Sequence, residues 1–384
     1  MERKRVLIAT DVDFWRRDAG DKSRIFELTR YLSRHTDLLV AYLGPYVRDD
    51  EQLLWDTGFP FQLFFLGDDR PRSAFEYAHR FRSLLTQFSA DVCCLAHAGL
   101  SYLLDLIPEG VHTLVDLQEP IRDRDAGFFL PPGRSVSEPG SRPIAEVFAR
   151  IRSIDTAILS EPREYEQARR ALGPDRVVFA PHPVSSPRRS IRPAVRAIGF
   201  VGGASRANAD ALSWFLHHVW PAVRPYDVPL YVYGRVNEVV AWRGPGVTPR
   251  GFVPRQDDIY DEVDVLINPV RGGDGPKVKS VEALGNGLPL VTTSPGATGL
   301  EEAAGTAFLV ANDADAFSTA LVDVLSDFGL RCRLGDAAYA FARRHHSPDA
   351  CFRDLLRHIE RSGVRGRTAG GSRAPGPDAY HYLF

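Results

Sequence analysis

Short apolar runs alternate with helix-length segments along this chain, and the alternation restarts once, after a proline-rich stretch near its middle. Parallel strands need a crossover long enough to hold a helix, so this pattern points to parallel sheets built from βαβ units. In the first half, RVLIAT (5–10) reads as a strand, and 22–34 as an amphipathic helix with Ile25, Leu28 and Leu32 on one face. Strand-like runs follow at 38–43, 61–66, 92–96, 112–115, 156–159 and 176–180. The stretch PHPVSSPRRSIRP (181–193) then reads as a stiff, structureless linker. Beyond it strands are expected at 196–202, 229–234, 246–253, 263–267, 288–293 and 308–310, and helices at 208–223, 313–326, 330–345 and 348–361.

The fold class that follows is α/β, with two Rossmann-like domains facing a cleft. The boundaries are 1–180 for the first domain, 181–195 for the linker and 196–346 for the second domain. A C-terminal helix at 347–362 is expected to cross back to the first domain, and the composition of 363–384 is that of a disordered tail. At 384 residues the chain is long enough for two cores. The section 122–142 is too rich in Pro, Gly and charge for regular structure, and a loop of that length inside a domain is often a functional lid.

Composition excludes several function classes. A formal charge of −2 argues against a nucleic-acid-binding surface. Four cysteines without CxxC or Cys/His spacing argue against a disulfide framework or a zinc site. The pairs His217–His218 and His345–His346 point about 100° apart on a helix and read as surface residues. MERKRVLIAT enters a strand directly, without a signal-peptide pattern, and no run approaches 18 apolar residues. The expected setting is cytoplasmic, with no transmembrane segment and with room for peripheral membrane contact.

The chemistry concentrates in 268–302. The strand 263–267 ends there in a glycine-rich loop that opens onto a helix beginning near Pro276 and carrying Lys277, Lys279 and Glu282. Backbone N–H groups of such a loop, with the positive end of a helix, form an anion site. Glu282 is expected about seven residues in, on the order of 10 Å from the loop, where a carboxylate can accept sugar hydroxyls while the loop holds phosphates. The same glycines would also serve a plain turn, and Glu282 would also pair with Lys279 three residues before it.

From here the residues resemble a known family. Over roughly 196–305, FVGGASRANADALSWFLHHVWPAV, PLYVYG, GVTPRGFVPRQDDIYDEVDVLINP and GGDGPKVKSVEALGNGLPLVTT follow the order found in the C-terminal domain of GT-B glycosyltransferases of the family 4 (group 1) type. The first half is similar more loosely, through RVLIAT, Gly20 and ADVCCLAH. The resemblance implies metal-independent glycosyl transfer, with retention as the family lean, from a nucleotide-diphosphate sugar (a UDP- or GDP-sugar used as co-substrate, with no bound cofactor). The acceptor would be a glycan, lipid-linked or small-molecule hydroxyl on the N-terminal domain, and the setting glycan, polysaccharide or glycoconjugate biosynthesis.

Carried over residue by residue, Glu282 matches the glutamate that holds the ribose hydroxyls, and Asp274 falls where many members have the first glutamate of an E-x7-E pair. Lys277 and Lys279 lie where a diphosphate contact is expected, beside Gly273 and Gly275. Gly251, Phe252 and Val253 resemble the stretch whose backbone reads the base. Two departures stand out. Arg206 is the only cation where many members carry an Arg/Lys pair, with Arg235 as a replacement charge, and Asp274 is one methylene shorter than glutamate. In the first domain, Gly20 either lets the backbone approach the diphosphate or only turns the chain. His97, at a strand end, either meets the donor sugar or sits satisfied in a turn. Asp116 and Glu119 are either general bases for the acceptor or, for the aspartate, a helix cap. Other readings of the same scaffold are a nucleotide-sugar 2-epimerase and a non-catalytic nucleotide- or glycan-binding protein. A dehydrogenase is disfavoured, because the loop after RVLIAT contains no GxGxxG.

Overall fold

The computed structural model describes residues 3–17, 19–45, 47–66, 74–117, 154–242, 244–272 and 277–362. The chain divides into two compact units. One takes in Met1–Trp15, Asp21–Pro181 and Phe352–Phe384, the other Arg16–Gly20 and His182–Cys351.

The first unit holds β1 (Arg5–Thr10), β2 (Asp37–Tyr42), β3 (Gln62–Phe65), β4 (Val92–Leu95), β5 (His112–Leu117), β6 (Thr156–Leu159) and β7 (Val177–Phe179). They form one sheet in the order β3-β2-β1-β4-β5-β6-β7, and every pairing is parallel. Register sets Leu7 beside Leu39 on one side and Cys93 on the other. Val6, Leu7, Ile8 and Ala9 are all fully buried, which explains why these strands read as continuous apolar runs: both faces of the sheet are covered. The described helices of this unit are α1 (Gly20–Ser33), α2 (Glu51–Thr57), α3 (Ala74–Phe88) and α4 (Pro162–Leu172).

The second unit repeats the plan. Strands β8 (Ile198–Val201), β9 (Leu230–Tyr233), β10 (Val247–Gly251), β11 (Val265–Asn268), β12 (Leu290–Thr292) and β13 (Leu309–Val310) lie in the order β10-β9-β8-β11-β12-β13, again all parallel. One face buries Phe200, Phe215, Trp220 and Phe317, the other Tyr260, Leu266, Leu284 and Phe308. The expected helix 208–223 is α5 (Arg206–Trp214) continued by a π turn, Phe215–Val219, and by α6 (Trp220–Val223). Then come α7 (Gln256–Glu262), α8 (Val278–Gly285), α9 (Ala314–Ser326) and α10 (Phe328–His345). The last helix, α11 (Pro348–Arg361), gives its residues from Phe352 onward to the first unit. There Phe352 packs on Tyr31, and His358 Nε2 lies 2.7 Å from Thr156 Oγ1.

One sequence expectation gains detail and another changes. The proline-rich stretch has no regular structure, but it is not free of the unit it enters. Arg189 bonds Asp257 at 2.7 Å, Asp261 at 2.6 Å and the Asn286 side chain at 3.1 Å, and its backbone N–H donates to Asn286. Proline removes backbone donors, so side-chain guanidinium groups do the anchoring. His346 is buried rather than superficial, its Nδ1 2.9 Å from the His182 carbonyl, and burial pushes its pKa below the usual histidine value.

Candidate functional site

In both sheets the first strand is central and the strand order reverses beside it, between β1 and β4 and between β8 and β11. Ligands of open α/β sheets bind beyond the carboxyl ends of the strands at such a switch point. In the second unit the loops leaving β8 and β11 meet there. After β8, Gly203 faces open space, and Ser205 caps α5 by accepting the Asn208 N–H at 3.3 Å. Asn208 Nδ2 donates to the Gly203 carbonyl at 3.1 Å, which fixes the loop.

After β11, helix α8 runs from Val278, two residues beyond Pro276, which lies outside the described residues, and Lys277 is its N-cap residue. Glu282 is about one turn in, roughly 6 Å along the axis from Val278. The start of α8 is tied to the sheet. Asn268 Nδ2 donates to Ser280 Oγ at 2.9 Å, Ser280 Oγ donates to the Gly296 carbonyl at 2.8 Å, and Thr292 Oγ1 donates to the Asn268 carbonyl at 2.8 Å. The buried Asn268 Oδ1 makes no hydrogen bond among the described residues. Lys279 Nζ crosses to α5, donating to Asn208 Oδ1 and lying 5.2 Å over the Phe200 ring. Burial lowers its pKa to about 8, with Glu282 opposing that shift and Lys277 adding to it.

Glu282 is 6% exposed, and both its carboxylate oxygens are held. Oε1 accepts from Gln256 Nε2 at 3.1 Å and Oε2 from the Tyr260 hydroxyl at 2.6 Å. Burial raises its pKa, while those two bonds and the charges of Lys279 and Arg17 pull against the rise. Neither partner was legible as such in the sequence. Their signal is spacing: four apart on α7, Gln256 and Tyr260 share a helix face.

Gly251 ends β10 with φ +66°, and its carbonyl accepts the Gly234 N–H at 2.6 Å. Phe252 is 55% exposed, and Val253 packs against the core of Tyr260 and Ile259. Arg206 is exposed at the first position of α5, without an ion pair among the described residues, whereas Arg235 pairs with Glu238 at 3.3 Å. Gly20, grouped with the second unit, lies so close to α8 that a Cβ on it would stand 2.8 Å from Val278 Cγ1. Glu119, Gly273, Asp274, Gly275 and the loop 122–142 lie outside the described residues.

In the first unit, His97 and Asp11 meet at the other switch point. His97 Nε2 lies 2.5 Å from Asp11 Oδ1, and its Nδ1 accepts the Gly99 N–H at 3.1 Å, which assigns the ring proton to Nε2. Asp116 is fully buried and caps no helix. Its two oxygens accept from Arg24 Nε and Nη2 at 2.9 and 3.0 Å, and Arg24 also donates to the Pro181 carbonyl at 2.9 Å. Among the described residues no cluster of His, Cys, Asp or Glu has a metal-holding geometry, and no helix is long and apolar enough to cross a membrane.

Residues 195–327 match the family model for glycosyl transferases of group 1. The second unit carries a group 1 glycosyl transferase domain. Solved structures of GT-B glycosyltransferases share the fold of the chain. HepE from Anabaena, in complex with UDP and glucose, is 12% identical with a TM-score of 0.63, over 94% of this chain and 100% of that one. Sucrose-phosphate synthase from Thermosynechococcus elongatus is 14% identical with a TM-score of 0.65, over 93% and 98%. WaaG, a glycosyltransferase involved in lipopolysaccharide biosynthesis, is 14% identical with a TM-score of 0.57, over 93% and 100%. No curated protein matches this chain in sequence. The fold is GT-B, α/β with two parallel sheets, and residues 195–327 of the second unit carry the match to the group 1 family model.

Proposed function

We propose that this protein transfers a sugar from a nucleotide-diphosphate donor, a UDP- or GDP-sugar, to an acceptor hydroxyl, without a metal and with retention at the anomeric carbon. One observation carries the reading. Two lysines at the start of α8 and a buried glutamate one turn further stand at the switch point of the second sheet, where a diphosphate and a ribose need cations and a carboxylate respectively. Glu282 accepts the ribose hydroxyls. Lys277, Lys279 and the N–H groups opening α8 hold the diphosphate, with Arg206 adding charge from the β8 loop. The backbone at Gly251–Val253 reads the base, beside the exposed Phe252 ring.

As the bond from the anomeric carbon to the diphosphate oxygen breaks, negative charge grows on the leaving group. The lysines and helix N–H groups stabilise it there, and losing one such contact typically costs about 2.7–4 kcal/mol of barrier. The first unit takes the acceptor, with His97 at that unit's own switch point. Structures of the same fold solved with UDP, among them HepE, support a uridine donor.

The test is thermal stabilisation by a panel of UDP- and GDP-sugars, followed by transfer assays with the donor that binds. A donor at a hundred times its Kd adds about 2.7 kcal/mol. No shift with any donor would sink the proposal. Interconversion of the donor without an acceptor would replace transfer by epimerisation. The anomeric configuration of the product, read by NMR, decides between retention and inversion.

A further inference from the structure

We propose that Tyr260 and Gln256 are positioning residues that aim Glu282 at a vicinal diol, and so select ribonucleoside over 2′-deoxyribonucleoside diphosphate sugars. The inference rests on the donor-site reading above and deepens it.

Three observations support it. The first is geometry: Tyr260 donates at 2.6 Å to one oxygen of Glu282, and Gln256 donates at 3.1 Å to the other. Each carboxylate oxygen has two lone pairs, so one direction on each stays available for a hydroxyl. Two oxygens presented side by side match two adjacent hydroxyls, as two parallel donors match a carboxylate in a bidentate pair. The second is burial. Tyr260 is 3% exposed and Glu282 6%, so neither side chain can rotate to follow a misplaced ligand. The third is placement. Gln256 and Tyr260 ride on α7, which begins three residues after Val253, so one short segment links the base-reading stretch to the ribose carboxylate.

Protonation gives the arrangement a second consequence. A protonated Glu282 would present a donor where the diol also donates. Burial favours that neutral form, and the Tyr260 and Gln256 bonds resist it. The other charges facing the pair are Lys279 of α8, Arg17 of the Arg16–Gly20 segment, Asp257 of α7 and Arg189 of the docked proline-rich stretch.

The experiment compares UDP with 2′-deoxy-UDP, and GDP with 2′-deoxy-GDP, by calorimetry on wild type, Tyr260→Phe and Gln256→Met at pH 6.0, 7.0 and 8.5. Wild type is expected to prefer the ribo form. Hydrogen bonds to charged groups are worth enough that Tyr260→Phe should weaken ribo binding about five- to tenfold at pH 6.0. Deoxy binding, which keeps one hydroxyl on Glu282 instead of two, should fall less, and the ribo deficit should shrink as pH rises, since loss of the Tyr260 bond favours the neutral carboxyl that burial also favours. A purely structural tyrosine would lower stability and weaken both forms equally at every pH, which overturns the proposal. Gln256→Met keeps it open to refutation if the Tyr260 variant fails to fold: unchanged ribo-to-deoxy discrimination there refutes it alone. If wild type binds none of the four nucleotides, the donor-site reading falls and takes this inference with it.

Discussion

Lys279 and Asn208 join the two loops that flank the switch point of the second sheet: the lysine ammonium, in the first turn of α8, donates to the carboxamide oxygen in the first turn of α5. The loop after β8 carries Arg206 as its only cation, and Lys279 brings a second one to the same place from the far side of the strand order. In the proposed donor site, the cations facing a diphosphate thus come from both loops instead of from one. Phe200 beneath the ammonium holds it through the face of its ring.

Lys279→Met should weaken nucleotide-diphosphate binding at least tenfold and remove a pH signature. Burial sets the Lys279 pKa at about 8, so the free protein loses this charge as pH rises through that value. A diphosphate restores it, and binding at pH 8.5 takes up a proton. Calorimetry in buffers of different ionisation enthalpy should show the uptake in wild type and not in the variant. For stability the sign is the reverse of a favourable pair. The folded pKa lies below the reference value of 10.5, so between about 8 and 10.5 the unfolded chain binds more protons. The cost of burying this ammonium is full below pH 8 and fades as pH rises through that window.

Gly20→Ala should be repaired by a second substitution. The new methyl would stand 2.8 Å from Val278 Cγ1, and a β-branched side chain on a helix has little rotamer freedom to retreat. Overpacking of this kind costs about 1–3 kcal/mol. Urea melts should show that loss, UDP titrations should show weaker binding as α8 shifts, and adding Val278→Ala should recover both.

Asp116→Asn should act on stability and not on chemistry. The substitution leaves the Arg24 guanidinium buried without its counter-charge, and breaking a buried pair in this way costs about 3–5 kcal/mol. Denaturant unfolding measures the loss, while kcat per folded molecule should stay within twofold. A hundredfold fall in kcat with unchanged stability would return Asp116 to the role of general base.

His97→Ala removes an acceptor from the Gly99 N–H, at a stability cost of about 1 kcal/mol typical of a lost cap. If His97 also meets the transferred sugar, turnover should fall at least tenfold while UDP affinity, a property of the second unit, stays constant. Steady-state kinetics beside UDP titration separates the two effects.

The sequence carried the parallel strands because strands buried on both faces must be apolar throughout: Val6–Ala9 and Val265–Ile267 are legible as such without any neighbour. It carried Lys277, Lys279 and Glu282 as a set, because glycine-rich loop, helix start and charges are contiguous. That Lys277 is the cap residue of α8, with the helix running from Val278, came from the folded chain.

Local periodicity and composition thus determined the two α/β halves and the residue types of the proposed donor site, since both are properties of neighbours in the chain. The partners of those residues were decided elsewhere. Asn208 is 71 residues from Lys279, Gln256 and Tyr260 are 26 and 22 from Glu282, and Arg24 is 92 from Asp116. A hydrogen bond needs atoms within about 3 Å in a fixed direction. Strand order, which brings β8 beside β11 and β1 beside β4, supplies that proximity, and strand order exists only in the folded chain.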